Sequence, residues 1–243
     1  EQFALFGQAD FALTDKLKVI AGARVSHNKL GYTVVADGPL NAGPTPFTRL
    51  SQQETPFTPK VGLSYQIDPD NLVYATYAKG YRIGGVNAPV PSFCDAGFAS
   101  LGVNGEPPSY SSDKTQSYEL GSKNRLFGGK LQLATSAFYV KWKGIQQAIT
   151  IPVCGYIYVD NLGQAESKGF DLQLQARPVK GLTIDASFGY TNAVFSRDVI
   201  QGSAVLARKG DTLGGPSFTF ALGAQQDFTV GSMPSFLRVD WQH

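Results

Sequence analysis

The chain is short of the residues that most often do chemistry. Its 243 residues include two histidines, two cysteines, two tryptophans and one methionine. Neither His27 nor His243 adjoins a serine or cysteine in a nucleophile motif, and no H-E-x-x-H, phosphate-binding loop or G-x-G-x-x-G occurs. Asp68 and Asp70 flank a proline and precede an asparagine, which is turn chemistry rather than acid–base chemistry. No catalytic residue, metal site or cofactor is expected, and the chain does not read as an enzyme. Charge is scarce as well, at 16% of residues against about a quarter in ordinary soluble domains. A net charge of +2 with no basic run gives nothing for a nucleic acid to bind. No apolar run reaches the roughly 18 residues of a membrane-spanning helix. Glu1 leads straight into Gln2-Phe3-Ala4-Leu5 with no secretory leader, so a preceding segment is expected if the chain is exported.

What the sequence has in quantity is alternation. Phe170, Leu172, Leu174 and Ala176 alternate with Asp171, Gln173, Gln175 and Arg177. Leu182, Ile184, Ala186, Phe188 and Tyr190 alternate with Thr183, Asp185, Ser187 and Thr191. A period of two means a strand with one apolar and one wet face. The same pattern runs through 17–26, 61–67, 218–225 and 237–242, and less cleanly through 72–82, 115–125 and 131–146. About ten strands result by this rule. The mean hydropathy of −0.12 is what such strands average to when one face meets lipid and the other water.

The connections carry more information than the strands. Residues 13–16, 68–71, 126–129, 178–181 and 228–235 form short turns, whereas 33–50, 84–113, 147–160 and 193–214 form long polar connections. Short and long alternate throughout. A soluble β-sandwich also alternates apolar and polar residues, but rarely segregates every long loop to one end. The pattern is the plan of an outer-membrane barrel, with tight periplasmic turns and long extracellular loops. Tyr77, Tyr81, Trp142, Tyr190 and Trp241 lie towards strand ends, where an interfacial belt or the ordinary strand preference of aromatics would each place them.

Four motifs then carry a resemblance. Asn71-Leu72-Val73-Tyr74-Ala75-Thr76-Tyr77-Ala78-Lys79-Gly80-Tyr81-Arg82-Ile83-Gly84-Gly85-Val86-Asn87 is similar to a signature strand and loop of TonB-dependent receptors. Ser117-Tyr118-Glu119-Leu120-Gly121-Ser122-Lys123 resembles the strand that follows it, as do the stretches 161–172 and 181–191 for two later ones. The resemblance implies an all-β antiparallel transmembrane β-barrel segment, part of a larger barrel of about 22 strands. Residues 1–243 would be a partial barrel domain, with the plug, the TonB box and the C-terminal strands outside it. It further implies TonB-energised uptake of a scarce nutrient, by default a ferric siderophore. The partners would be the TonB complex, reached through the plug, and outer-membrane lipid and lipopolysaccharide. A plugless porin-like channel and a soluble β-adhesin are the alternatives.

On that reading Tyr81, Arg82, Asn87, Trp142, Tyr156, Arg197 and Arg208 are the candidate ligand-binding residues, at the extracellular rim. A basic rim, with Lys209 beside it, would attract an anionic chelate, and the aromatics would stack on it. Solvated loop charge, lipopolysaccharide contact and loop packing are competing roles for each. Cys94 and Cys154 fall in two long connections on the same side, joined by one hairpin. They are a disulfide candidate in an oxidising compartment, with free thiols as the alternative and a metal pair disfavoured for want of nearby histidine. Glu119, Lys123, Arg125, Asp171, Arg177, Asp185, Arg238 and Asp240 should face the lumen, because a charge on the lipid face is costly near the midplane.

Overall fold

The computed structural model describes residues 1–35, 37–39, 43–44 and 48–243. Its elements are β1 (Gln2–Ala12), β2 (Leu17–Val34), β3 (Thr48–Glu54), β4 (Phe57–Asp68), β5 (Asn71–Arg82), β6 (Gly85–Val86), α1 (Asp95–Ser100), β7 (Ser109–Tyr110), β8 (Asp113–Leu126), β9 (Leu131–Lys143), β10 (Gln146–Thr150), β11 (Ile157–Asn161), β12 (Gln164–Ala176), β13 (Leu182–Phe195), β14 (Val199–Gln201), β15 (Ala204–Ala207), β16 (Phe218–Val230) and β17 (Met233–Gln242). Ten of them form one antiparallel sheet in the order β1-β2-β4-β5-β8-β9-β12-β13-β16-β17, and β3 extends the ladder on β2. These ten strands run from 10 to 18 residues, enough to cross a bilayer at a tilt, which takes roughly 9–11. Among the described residues the sheet is open: β1 and β17 each pair on one side only.

The short turns are built by the residues that punctuate them. The Thr14 hydroxyl accepts the amides of Lys16 and Leu17 at 3.2 and 2.9 Å. The Asp68 carboxylate accepts the amide of Asp70 at 2.9 Å and the side-chain amide of Asn71 at 2.8 Å. Both close the chain within four residues, as such side chains do. At the opposite ends the connections are long, although less bare than the sequence suggests. Residues 147–160 are largely the paired strands β10 and β11, 84–113 contains α1 and the β6–β7 pair, and 193–214 contains the β14–β15 hairpin. In the 33–50 connection, residues 36, 40–42 and 45–47 lie outside the described set.

Register settles which residues share a face, because directly paired residues point the same way. The row Gln66–Leu72–Lys123–Ala134–Gln173–Ser187–Ala221–Gln242 crosses eight strands on the concave side. This face bounds a hollow of 970 Å³ lined by Lys123, Arg125, Gln175, Asp185, Arg238 and Asp240 among others. Two inward aromatics lie over cross-strand glycines: a Cβ on Gly121 would fall 2.6 Å from the Tyr74 ring, and one on Gly169 would fall 2.7 Å from Phe138. The convex face carries Leu63, Ala75, Leu120, Ala137, Leu172, Ala186, Leu222 and Val239. Above them Tyr77, Tyr118 and Tyr139 contact in sequence, with ring centroids 5.0 and 6.4 Å apart. Phe170, Tyr190 and Phe218 continue the belt at 5.8 and 4.9 Å. Trp142 departs from the belt expectation. Tyr139 and Lys141 face outward, so Trp142 turns to the concave side.

The single-layer sheet buries little of its own. Of the buried apolar residues, Cys94, Phe98, Leu101, Ile149, Ile151 and Tyr158 form one cluster, and it lies in the long connections. Apolar residues on the convex strand faces remain exposed, Leu222 at 42% and Val239 at 64%; in this geometry lipid is their solvent. Leu222→Arg should therefore cost about 2–4 kcal/mol of stability in a bilayer. Ala221→Arg, one residue along and facing inward, should cost less than about 1 kcal/mol. Urea titration of the full-length receptor in lipid vesicles reads both. Equal losses would mean that the convex face does not meet hydrocarbon.

Candidate functional site: the mouth and its cap

At the end of the sheet that carries the long connections, the strands run into a hydrogen-bonded collar. The side chain of Asp113, at the start of β8, is 2% exposed, while that of its partner Arg82, at the end of β5, is 52% exposed. Arg82 Nε donates to Asp113 Oδ2 at 3.0 Å, and Nη2 donates to the same oxygen. The guanidinium also sits over the Trp142 ring, 5.4 Å from its centroid. The Gln146 side chain donates to the carbonyls of Ile83 and Ser111 at 2.9 and 3.1 Å. Glu54, at the end of β3, accepts the amides of Gly84 and Ser112, both at 3.0 Å. Asn161 donates to the carbonyls of Ser111 and Gly144 at 2.8 and 2.9 Å. The collar thus ties the ends of β3, β5 and β9 to the start of β8 and to the β10–β11 hairpin.

Above the collar the long connections pack into a cap. Cys94 and Cys154 are joined in a disulfide across 60 residues, with Cα atoms 5.4 Å apart. Phe98 packs at a tilt against Tyr158, with ring centroids 5.3 Å apart, and Ile149 and Ile151 join them in the cluster. Each such buried side chain contributes about 1.5–3 kcal/mol. Gly97 lets α1 approach the Pro152 carbonyl and the Ile151 side chain, where any Cβ would collide. Gly202, with φ +58, brings the β14–β15 hairpin against the Leu101 backbone in the same way. Three connections therefore form one body. Burial pushes the Tyr158 hydroxyl up to about 12, helped by Asp160, so it stays a neutral phenol. Burial also raises the Glu106 carboxyl, against the single amide that Val90 donates to it.

The expected rim residues take different places. Arg82 and Trp142 meet in the collar. Tyr81 turns its hydroxyl towards β2, where it accepts the Asn28 amide at 3.4 Å. Asn87 is 6% exposed. Its side-chain nitrogen donates to the carbonyls of Pro107 and Val159 at 2.8 and 2.9 Å, and its oxygen accepts the Val159 amide at 2.8 Å. Both N–H groups are used inside the cap, so Asn87 fastens loop to loop. Tyr156 packs edge-on against Phe93 at 6.0 Å, at the border of the disulfide cluster. Arg197 and Arg208 lie exposed on the β13–β16 connection. Sequence reading missed Asp113 and Gln146. The signal for Asp113 was its place at the first position of a strand, opposite Arg82.

Among the described residues no three histidine, cysteine or carboxylate side chains gather as a metal would need. The concave wall offers charge of both signs: Arg238 pairs with Asp240 at 2.7 Å and reaches Asp185 at 3.8 Å. Such a surface can hold a polar body in the lumen and pass a hydrated solute along it.

Comparison with known proteins agrees with this geometry. The family model described as TonB dependent receptor-like, beta-barrel matches residues 1–242. The chain is 24% identical over 208 residues to the metal-pseudopaline receptor CntO of Pseudomonas aeruginosa, covering 85% of this chain and 26% of that protein. It is 23% identical to the ferric-pyoverdine 358 receptor of Pseudomonas putida, covering 78% of this chain and 21% of the relative. The crystal structure of the ferric yersiniabactin uptake receptor FyuA from Yersinia pestis superposes with a TM-score of 0.76 at 18% identity, over 99% of this chain and 33% of that one. The chain thus spans about a quarter of the length of the curated relatives.

Proposed function

The chain belongs to the β-barrel family of TonB-dependent receptors, and from that premise we propose that it is the working wall of an outer-membrane importer of a chelated metal, by default a ferric siderophore. The family resides in the outer membrane, and its members compared above are receptors and transporters rather than enzymes. The observation that carries the proposal is the division of the sheet into an apolar convex face and a charged concave wall beneath a braced mouth. The concave wall is the surface against which a plug domain, contributed by other parts of the receptor, would pack. Ligand would arrive at the cap, and TonB, acting through the plug, would supply the energy for its passage. Arg197 and Arg208 suit ligand capture better than the collar residues do, since they are exposed and, among the described residues, no ion pair uses them.

The test is uptake of radiolabelled iron presented as ferric chelates to iron-starved cells that carry the full-length receptor. Uptake should saturate and should stop when the proton-motive force is collapsed. Persistence after an uncoupler would replace the importer with a passive channel. In the purified receptor, Arg197→Ala with Arg208→Ala should slow association of an anionic chelate several-fold in dilute buffer. The difference should disappear at high salt, because steering by exposed charge is screened. Stability should not change. An effect on dissociation alone would mean that these arginines do not steer.

A further inference from the structure

Resting on the importer reading, we propose that the wall is built to part between β4 and β5, so that the collar and cap swing away from β1–β4 and open the mouth without breaking a ladder rung. The two strands pair from Asp68–Asn71 up to Lys60–Ala78 and no further. Their other neighbours continue. β5 stays on β8 as far as Arg82–Asp113. β4 stays on β2 as far as Phe57–Val25, and β3 carries the same register on to Thr48–Val34. The seam therefore lies inside the sheet, at its outer end.

Proline accounts for the break. The Ser26 amide donates to the Pro56 carbonyl at 3.1 Å, so here the even residues bond towards β2 and the odd ones towards β5. Pro59 is odd, and the N–H it lacks is the one a rung to β5 would use. Extending the register sets Pro59 opposite Lys79 and Phe57 opposite Tyr81. On β5 the even residues bond towards β8, in step with the Arg125 amide that donates to the Asp70 carbonyl at 2.9 Å. The N–H and C=O groups of Lys79 and Tyr81 thus face β4, and among the described residues no backbone group takes them. Hydrocarbon excludes unpaired backbone. These groups begin one step beyond Tyr77, where the aromatic belt gives way to water.

Two side chains bridge the seam. Glu54, on β3, accepts the amides of Gly84 and Ser112. The Tyr81 hydroxyl reaches across to β1 and β2, where it accepts the side-chain amides of Gln2 and Asn28, both at 3.4 Å. These are long for hydrogen bonds. Asn28 is 5% exposed, yet its side-chain oxygen has no partner among the described residues. A buried acceptor without a partner marks a contact under strain rather than a settled one. The Arg82–Asp113 pair, the Gln146 and Asn161 bonds and the disulfide all lie on the β5 side. Release of Glu54 and Tyr81 therefore lets collar and cap move as one body, pivoting on the Lys60–Ala78 rung.

The experiment uses the full-length receptor. Cys94 and Cys154 are joined to each other and do not react with maleimides. In amide exchange, Lys79 and Tyr81 should exchange fast, while Ala75 and Tyr77, on the paired part of the same edge, stay protected. Pro59→Cys with Lys79→Cys, joined by a short bismaleimide, should slow association and dissociation of a ferric chelate together, each at least about tenfold, and uptake with them. The Kd should not change, because the link holds a gate and removes no ligand contact. A long flexible linker should restore both rates. The short linker between Gln116→Cys and Lys141→Cys, direct partners on β8 and β9 at the height of Lys79, should change neither. Pro59→Val, which supplies the missing N–H, should protect the Lys79 amide and slow ligand entry without any linker.

Equal protection of the four amides would overturn the seam, and that comparison needs no variant. Chelate rates unmoved by the short link, or moved as much by the Gln116–Lys141 link, would overturn the gate. A receptor whose uptake needs the proton-motive force and ignores the link fails on this point alone. One that takes up no chelate before any link is made fails on the importer reading as well.

Discussion

Arg82→Met should destabilise the mouth by about 3–5 kcal/mol, whereas Asp113→Asn should cost only about 1–2 kcal/mol. The asymmetry follows from burial. Asp113 is almost wholly enclosed and Arg82 is half in water. Without the guanidinium, Asp113 keeps, among the described residues, the Gln146 amide at 3.4 Å, and its charge has little solvent to fall back on. Without the carboxylate charge, Arg82 hydrates and still lies over Trp142. Hydrogen exchange of the amides in β10 and at the start of β8, in the full-length receptor, measures the two losses separately. Trp142 lies beside Arg82, so Arg82→Met should also change the part of the emission that Trp142→Phe removes. Equal losses would mean that the pair is hydrated in solution and that the collar is held by its backbone contacts alone.

Reduction of the Cys94–Cys154 bond, or Cys94→Ser with Cys154→Ser, should loosen the cap by about 2–4 kcal/mol and leave the sheet untouched. The bond closes 60 residues of chain, which include β8 and β9, already fixed by their own ladder. The entropy regained on opening therefore belongs to the loop ends around α1 and β10–β11. Limited proteolysis should cut near Val153, which is 88% exposed with φ +77, faster after reduction. The heat-stable migration of the barrel on a gel should be unchanged. If the barrel also lost its heat stability, the cap and sheet would be one cooperative unit. The six-residue cluster alone would then not describe what the bond protects.

The ten membrane strands were legible because their period of two is enforced by two solvents, lipid on one side and water on the other. The short turns were legible because Thr14, Asp68 and Gly181 make turns by local hydrogen bonding or positive φ. The disulfide was legible from chain order, since one hairpin separates the two connections that hold its cysteines. The interior of the cap was not. β10 and β11 are five residues each, too short for alternation to rise above a polar loop. The helix Asp95–Ala96-Gly97-Phe98-Ala99–Ser100 lacks the length to display its own period. Trp142 shows the other limit. It stands next to Lys141, and one residue of register decides whether an aromatic meets lipid or lumen. Asn87 lies in the signature stretch as a polar loop residue, and its side chain finds partners only when the chain folds back to bring up Pro107 and Val159, 20 and 72 positions away.

The cap closes on itself: its apolar cluster, its disulfide and the bonds of Asn87 all run from loop to loop. A substitution there does not have to be answered by another in the ladder, and the ladder can stay fixed while the cap is rewritten. Such a surface can change its outward residues without putting the insertion of the protein at risk. A chimaera that exchanges residues 84–112, 146–161 and 196–212 together should carry the donor's selectivity, because the disulfide and the close approach of Gly202 to Leu101 make the three connections one body.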